Sequence, residues 1–287
     1  MAATGCLFHR NNNDRAHGAL LRGEHMDLDL TGRHALVCGA SQGIGRACAI
    51  ELAQLGANIT ALARRADVLK QLVEALPRTH AAQTHDFLVA DSGDTDGLRA
   101  AAEKMVGANP VHILVNNSGG PPPGPAHGAM VDAFLDAYRK HLVANHVLAE
   151  TVIPGMQAAA YGRIVNIIST SVKEPIAGLG VSNTTRWAVA SWSKTLATEL
   201  APFGITVNNV LPGSTKTPRI EQIVQTRAQK SGVDTAAMQH AMESEIPMRR
   251  FADPAEIAAA VAFLCSPAAG YITGINVPVD GGRTHSL

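Results

Sequence analysis

From Thr31 onward the chain alternates short apolar runs with longer stretches in which apolar residues recur every three or four positions. The runs at 35–38, 58–63, 85–89, 113–116, 164–168, 206–211 and 274–279 predict strands. The stretches 45–55, 66–76, 94–107, 129–159, 183–200 and 254–266 predict helices. Strands separated by helices of this length pair in parallel through right-handed crossovers. The expected fold is therefore α/β, a single doubly wound parallel sheet of about seven strands with helices on both faces. A ligand is expected at the carboxyl ends of those strands. The stretch 215–248 is polar and helical without a strand of its own, and it predicts a lid over that cleft. Residues 1–25 carry no period, and predict a disordered leader or an upstream start with Met26 as the effective beginning.

The most informative joint is His34-Ala-Leu-Val-Cys-Gly-Ala-Ser-Gln-Gly-Ile-Gly45. An apolar run breaks into Gly39, Gly43 and Gly45, and a helical pattern follows at once. Glycines there allow a sharp turn and close approach to a ligand, while the helix start offers free N–H groups and a positive dipole end. That combination suits the pyrophosphate of a dinucleotide, with Ser41, Gln42 and Ile44 filling the turn. Residues 26–287 thus read as one dinucleotide-binding domain of Rossmann type, catalytic in character.

Composition narrows the function classes. The chain has 287 residues, is 46% hydrophobic and has zero formal net charge, as expected of one soluble globular domain with a large core. Balanced charge gives no reason to expect a nucleic acid or an anionic membrane as partner. The longest apolar stretches, such as 257–265, are too short to cross a bilayer. Cys6, Cys38, Cys48 and Cys265 form no CxxC pair and read as buried hydrophobes or free thiols in a reducing compartment. His141 and His146, at i,i+5, lack metal-ligand spacing, so no metal is expected. No export signal is visible, and the expected location is cytoplasmic.

The second strand ends Ala61-Leu-Ala-Arg64-Arg65. An acid there would bind the ribose diol of NAD, whereas arginine matches the 2′-phosphate of NADP bidentately. NADP(H) is therefore expected over NAD(H). Asp91, after the third strand, is placed to accept from the adenine amino group, although an Asp in a turn also explains itself.

With Asn116-Asn-Ser-Gly119, Asn166-Ile-Ile-Ser169, Leu196-Ala-Thr-Glu-Leu200, Asn208-Asn-Val-Leu-Pro-Gly213 followed by Thr217, and Val279-Asp-Gly-Gly282, the chain resembles a family. It is similar to the classical short-chain dehydrogenases/reductases, nearest the 3-oxoacyl-[acyl-carrier-protein] reductase-like branch, over about Leu30 to Gly282. The resemblance implies cofactor contacts from Asn117, Gly119, Pro212, Gly213 and Thr217 as well as the glycine turn. It also implies a homodimer or homotetramer built through the helices 129–159 and 183–200 and the last strand. Cys38 and Ser118 depart from the family's Thr and Ala by near-isosteric changes.

The catalytic set departs further. In the family a Tyr gives the carbonyl its proton, a Lys four residues on lowers the Tyr pKa and holds the ribose, a Ser orients the carbonyl, and an Asn supports a water chain. Counting back from Leu196–Leu200 puts Ser182 at the Tyr and Arg186 at the Lys, with Ser169 in the place of the family's Ser. Counting back from Pro154 puts His141 at the Asn, with Asn145 as a displaced equivalent. A serine hydroxyl is a far weaker acid than a phenol and too short to replace one; Arg186 keeps the positive charge and the donors that bind the cofactor's ribose, but a guanidinium does not shuttle protons. Tyr138, Tyr161 and Tyr271 have no Lys four residues downstream.

Two functions are compatible with this pattern. One is an NADP(H)-dependent carbonyl or 3-oxoacyl reductase with altered proton-donor chemistry. There Ser169 orients the carbonyl, Arg186 stabilises oxyanion charge, and water, His141 or a lid group gives the proton. His141 suits that part because histidine changes charge near neutral pH. The other is a catalytically inactive NADP(H)-binding sensor or non-catalytic oligomer subunit, in which Ser182 merely caps the helix 183–200 and Arg186 is an ion-pair partner on its face. The substrate of the first is a small carbonyl compound or acyl thioester. Trp187 and Trp192 make the helix 183–200 too apolar for a fully solvated one, and suit either an interface or the core.

Overall fold

The computed structural model describes residues 26–286, so the leader expected over 1–25 lies outside the described residues. Strands β1 (His34–Cys38), β2 (Asn58–Ala63), β3 (His85–Val89), β4 (Ile113–Asn116), β5 (Gly162–Ile167), β6 (Ile205–Pro212) and β7 (Asn276–Val279) form one sheet. Its order is β3-β2-β1-β4-β5-β6-β7, and every pairing is parallel. The interior strands are apolar on both faces because both are covered, as parallel sheets require. Ala35 and Val37 of β1 pack with Cys48, Ala49 and Leu52 of α1 (Gly43–Gln54) and with Ile257, Ala258 and Val261 of α9 (Pro254–Cys265). The alternate residues Leu36 and Cys38 face Leu98 and Ala102 of α3 (Thr95–Ala108) and Leu148 and Val152 of α5 (Ala144–Ala158). The remaining helices are α2 (Ala66–Ala75), α4 (Val131–Tyr138), α6 (Gly180–Leu200), α7 (Pro218–Ser231) and α8 (Thr235–Ser244).

Two helical expectations need correction. The stretch 129–159 is not one helix: a π turn, Arg139–Val143, separates α4 from α5. Such a turn widens one helical loop without ending the helical path, so apolar spacing does not reveal it. The helix expected from residue 183 begins at Gly180 with Leu179 as its N-cap, which places Ser182 inside the first turn. Ser182 is therefore not a cap. The structure assigns that role to no side chain of α6.

A row of asparagines, buried on β4, β5 and β6 and exposed on the edge strand β7, stitches one half of the sheet. Asn116, Asn166, Asn209 and Asn276 stand in register on β4, β5, β6 and β7. Asn116 Nδ2 donates to Asn166 Oδ1 at 2.8 Å, Asn166 Nδ2 donates to Ser193 Oγ at 2.7 Å and Asn209 Oδ1 at 3.1 Å, and Asn209 Nδ2 donates to Asn276 Oδ1 at 2.8 Å. Asn166 is fully buried, so losing it strands polar neighbours where water does not reach them. Asn166→Leu is expected to cost about 2–4 kcal/mol in a urea denaturation. An unchanged midpoint would show that the row contributes nothing to stability.

The sheet order reverses between β1 and β4, where successive crossovers leave on opposite faces. That reversal opens a crevice at the carboxyl ends of these two strands.

Candidate active site

The crevice is a cavity of about 1100 Å³. Its floor is the turn from β1 into α1. Gly39 has φ +61°, and a Cβ there would lie 2.6 Å from Asn117 Nδ2. Gly43 has φ +57° and faces Thr217. The first turn of α1 is capped by no side chain and carries no acid, so its N–H groups and positive dipole end are left for an anion. Ser41, Gln42 and Ile44 line the cavity beside Gly39 and Gly43. Gly45 does not line it. A Cβ on Gly45 would lie 2.3 Å from Gly39 O, so this glycine serves the close packing of α1 on the turn rather than contact with a ligand.

At the end of β2, Arg65 extends over the turn, with Nη2 3.1 Å from Gln42 Oε1 and 3.5 Å from Ser41 Oγ. Arg64 points instead to Asp91, 3.8 Å away, in an exposed pair. Asp91 also accepts from the Gly93 N–H at 2.9 Å. No acid stands at the end of β2. Asn117, Gly119, Pro212, Gly213 and Thr217 also line the cavity, with Asn117 against Gly39 and Thr217 against Gly43.

Ser169, Ser182, Arg186 and His141 all line the same cavity, near the ends of β4 and β5. Ser169 Oγ accepts from Ser171 N–H at 3.1 Å, which leaves its O–H to donate. His141 sits in the π turn, 1% exposed, with Nδ1 2.6 Å from Ser118 Oγ. Burial, with the charges of Arg186 and Lys140, pushes its pKa down to about 2. His141 is therefore neutral at physiological pH, and the charge change expected of it near neutrality does not occur. Asn145 follows on α5 and also faces the cavity.

Arg186 is 8% exposed and donates to two carbonyls, Ile167 O at 3.2 Å and Ser118 O at 3.5 Å. Burial and the nearby Arg219 lower its pKa to about 10, so it remains a cation. Among the described residues no acid pairs with it, which corrects the expectation of an ion pair on the helix face. No tyrosine lines the cavity. Tyr161 donates to Cys265 O at 2.7 Å between the guanidinium groups of Arg33 and Arg163, and Tyr271 is exposed.

Three cavity residues were missed by sequence reasoning as site members. Ser118 was noted only as a substitution, and its histidine partner lies 23 positions away. Lys140 pairs with Asp136 at 2.7 Å, an i,i+4 spacing that the expected helix already allows. Arg219, after Pro218 at the start of α7, donates to Pro121 O at 2.8 Å and so ties α7 to the proline loop after β4. The legible signal for it was only its proximity to Thr217. The helices α7 and α8 form a small core of Val224, Met242, Ile246 and Phe251, and the start of α7 walls the cavity.

Among the described residues no helix is long and apolar enough to cross a membrane, and no cluster of His, Cys, Asp or Glu is placed to hold a metal. Residues 39–284 match the family described as Enoyl-(Acyl carrier protein) reductase. The chain is 31% identical over 258 residues to the NADPH-dependent reductase BacG of Bacillus subtilis, covering 89% of this chain and 99% of that protein. It is 32% identical over 262 residues to the 3-oxoacyl-[acyl-carrier-protein] reductase FabG of Pseudomonas aeruginosa, covering 89% and 98%. The structure of L-sorbose reductase from Gluconobacter frateurii, complexed with NADPH and L-sorbose, superposes with a TM-score of 0.85 at 31% identity, covering 91% of this chain and 100% of that one. The sheet order, the glycine turn and these likenesses agree, and the chain belongs to the short-chain dehydrogenase/reductase family of oxidoreductases.

Proposed function

We propose that this protein is an NADP(H)-dependent short-chain oxidoreductase that reduces a carbonyl without a tyrosine acid. The observation that carries the reading is the uncapped, glycine-built start of α1 at the cavity floor, with Arg65 reaching over Ser41 and no acid at the end of β2. These residues fit the cofactor: the N–H groups of α1 suit its pyrophosphate, and Arg65 with Ser41 suits its 2′-phosphate. Relatives named as NADPH-dependent or complexed with NADPH support the same preference. Asp91 and Arg64 would meet the adenosine half of the cofactor, and Asn117, Gly119, Pro212, Gly213 and Thr217, which line the same cavity, would meet the remainder.

Held there, NADPH would supply the hydride that a carbonyl carbon takes up, leaving the carbonyl oxygen to take a proton and give the alcohol. Ser169 donates to that oxygen, and Arg186 stabilises the negative charge that develops on it. With no phenol in the cleft and a guanidinium that keeps its protons, water within hydrogen-bond reach of Ser182 is the proton source. Neutral His141, fixed by Ser118, orients that water rather than exchanging its own charge. The segment 215–248, whose start lines the cavity, acts as the lid. Met130, Val131, Leu135 and Trp187 leave apolar surface on α4 and α6 exposed, at 76%, 72%, 56% and 49%, which supports assembly into a homodimer or homotetramer.

The test is an NADPH fluorescence titration followed by a panel of ketones, quinones and 3-oxoacyl thioesters, with sedimentation velocity on the same preparation. Binding with turnover of one carbonyl class, by a dimer or tetramer, is expected. Arg65→Glu should lower the preference for NADPH over NADH by about 100-fold, through loss of one bidentate contact and gain of one repulsion. Binding without turnover across the panel would favour a non-catalytic binding protein, and no binding would refute the cofactor assignment.

A further inference from the structure

Five cations line the cavity, Arg64, Arg65, Lys140, Arg186 and Arg219, against two carboxylates, Asp91 and Asp136. Both carboxylates are engaged: Asp91 lies 3.8 Å from Arg64, and Asp136 lies 2.7 Å from Lys140. Arg65 serves the adenosine end. Among the described residues no carboxylate pairs with Arg186 or Arg219, and Arg186 reaches back to the carbonyl at the end of β5 while Arg219 reaches the loop after β4.

The two guanidinium groups converge. A Cβ placed on Gly120 would stand 3.9 Å from Arg186 Nη2 and 4.0 Å from Arg219 Nη2, so both atoms border the space that this glycine leaves open. Their protein partners are carbonyls only: Ile167 O and Ser118 O for Arg186, Pro121 O for Arg219. A guanidinium as buried as Arg186 is costly without a counter-ion, and a second cation beside it adds repulsion. The arrangement is stabilised when an oxyanion enters between them, and a planar carboxylate matches two arginine forks.

The other anion sites of the cavity narrow the choice. The phosphates of a bound cofactor would be met by Arg65, at the end of β2, and by the start of α1, after β1. Arg186 and Arg219 are bound instead to carbonyls that follow β4 or end β5, and they line the same cavity as Ser169. Resting on the cofactor reading above, we infer that Arg186 and Arg219 clamp the carboxylate of the substrate, a small 2-oxo acid whose adjacent ketone lies against Ser169 within reach of the same Arg186 fork. The lid then has a purpose in recognition, because Arg219 is carried on the first turn of α7 and is fastened to the proline loop.

The probe is malonate, with uncharged malonamide as its control, titrated calorimetrically into the full chain with and without saturating NADPH. Malonate should bind the NADPH-loaded protein and malonamide should not. Arg219→Gln should weaken malonate at least about tenfold while NADPH affinity shifts less than about twofold, and Arg219→Lys should recover part of the loss. Competition between malonate and NADPH would overturn the inference, because the arginines would then serve the phosphates of the cofactor. Absence of malonate binding, or unchanged binding in Arg219→Gln, would overturn it while leaving the cofactor reading standing. If NADPH itself does not bind, the cofactor reading fails. The titration without cofactor then decides the anion clamp alone, for or against.

Discussion

Gly45→Ala is expected to abolish useful NADPH binding, weakening it by at least about 100-fold, although one methyl group is all that it adds. The added Cβ would lie 2.3 Å from Gly39 O, 2.7 Å from Gly39 C and 2.8 Å from Asn117 Nδ2. Two of those atoms are backbone, so no rotamer change relieves the clash. The start of α1 has to swing away from β1, and its N–H groups leave the positions that suit a pyrophosphate. Overpacking of this kind costs about 1–3 kcal/mol in stability. Losing two charge-assisted hydrogen bonds costs at least as much again in binding. Gly107→Ala is the control: it lies exposed on α3 with nothing within 4 Å of the new atom. That substitution should leave NADPH binding intact and raise stability by about 0.5–1 kcal/mol, as for other helical glycines. Fluorescence titration and urea denaturation of both variants read the contrast. Near-native NADPH affinity in Gly45→Ala would mean that the pyrophosphate is held elsewhere.

That glycine also marks what a sequence reveals of such a site. The motif was legible as a unit, and β2 and β4 fall where the apolar runs place them, because a strand buried on both faces leaves an apolar record, while the edge strand β3, with no fully buried residue, is found at its predicted bounds on a weaker signal. The division of labour inside the motif was not legible. Gly39 and Gly43 border the cavity while Gly45 packs behind them, a difference set by which backbone passes within van der Waals contact. The charge of His141 was misjudged for a related reason. Its residue type sets a pKa near neutrality, but burial in the π turn and two neighbouring cations set the actual one, and neither the π turn nor the cations' approach leaves a periodic signal. Arg219 sits in a polar helix that gave no hint of its direction. Its meaning appears only when Gly120, a residue 99 positions earlier, is seen to leave room between it and Arg186.

Restoring a phenol and an amine at 182 and 186 is the sharpest test of the unusual reacting end. Ser182 and Arg186 lie one turn apart on α6 and both line the cavity, so the double variant Ser182→Tyr/Arg186→Lys places a tyrosine and a lysine on one helix face, aimed into the cleft. A positioned general acid contributes about 10²–10⁴-fold, and kcat/KM for the best carbonyl of the panel should rise by that order. The single variants should not add up to it. Arg186→Lys alone supplies no acid. Ser182→Tyr alone supplies a phenol beside a cation that lowers its pKa yet cannot pass on a proton. A gain confined to the pair, with a new ionisation in the pH profile of kcat/KM, would show that proton supply limits the natural protein. An unchanged rate with intact NADPH binding would show that proton transfer is not what limits it, and that water serves the cleft well enough. The same double variant also bears on the carboxylate clamp, since lysine keeps the charge of Arg186 but gives up its fork. Malonate affinity should fall even as turnover of uncharged ketones rises, so that a site reading oxo acids is exchanged for one reading carbonyls without regard to charge.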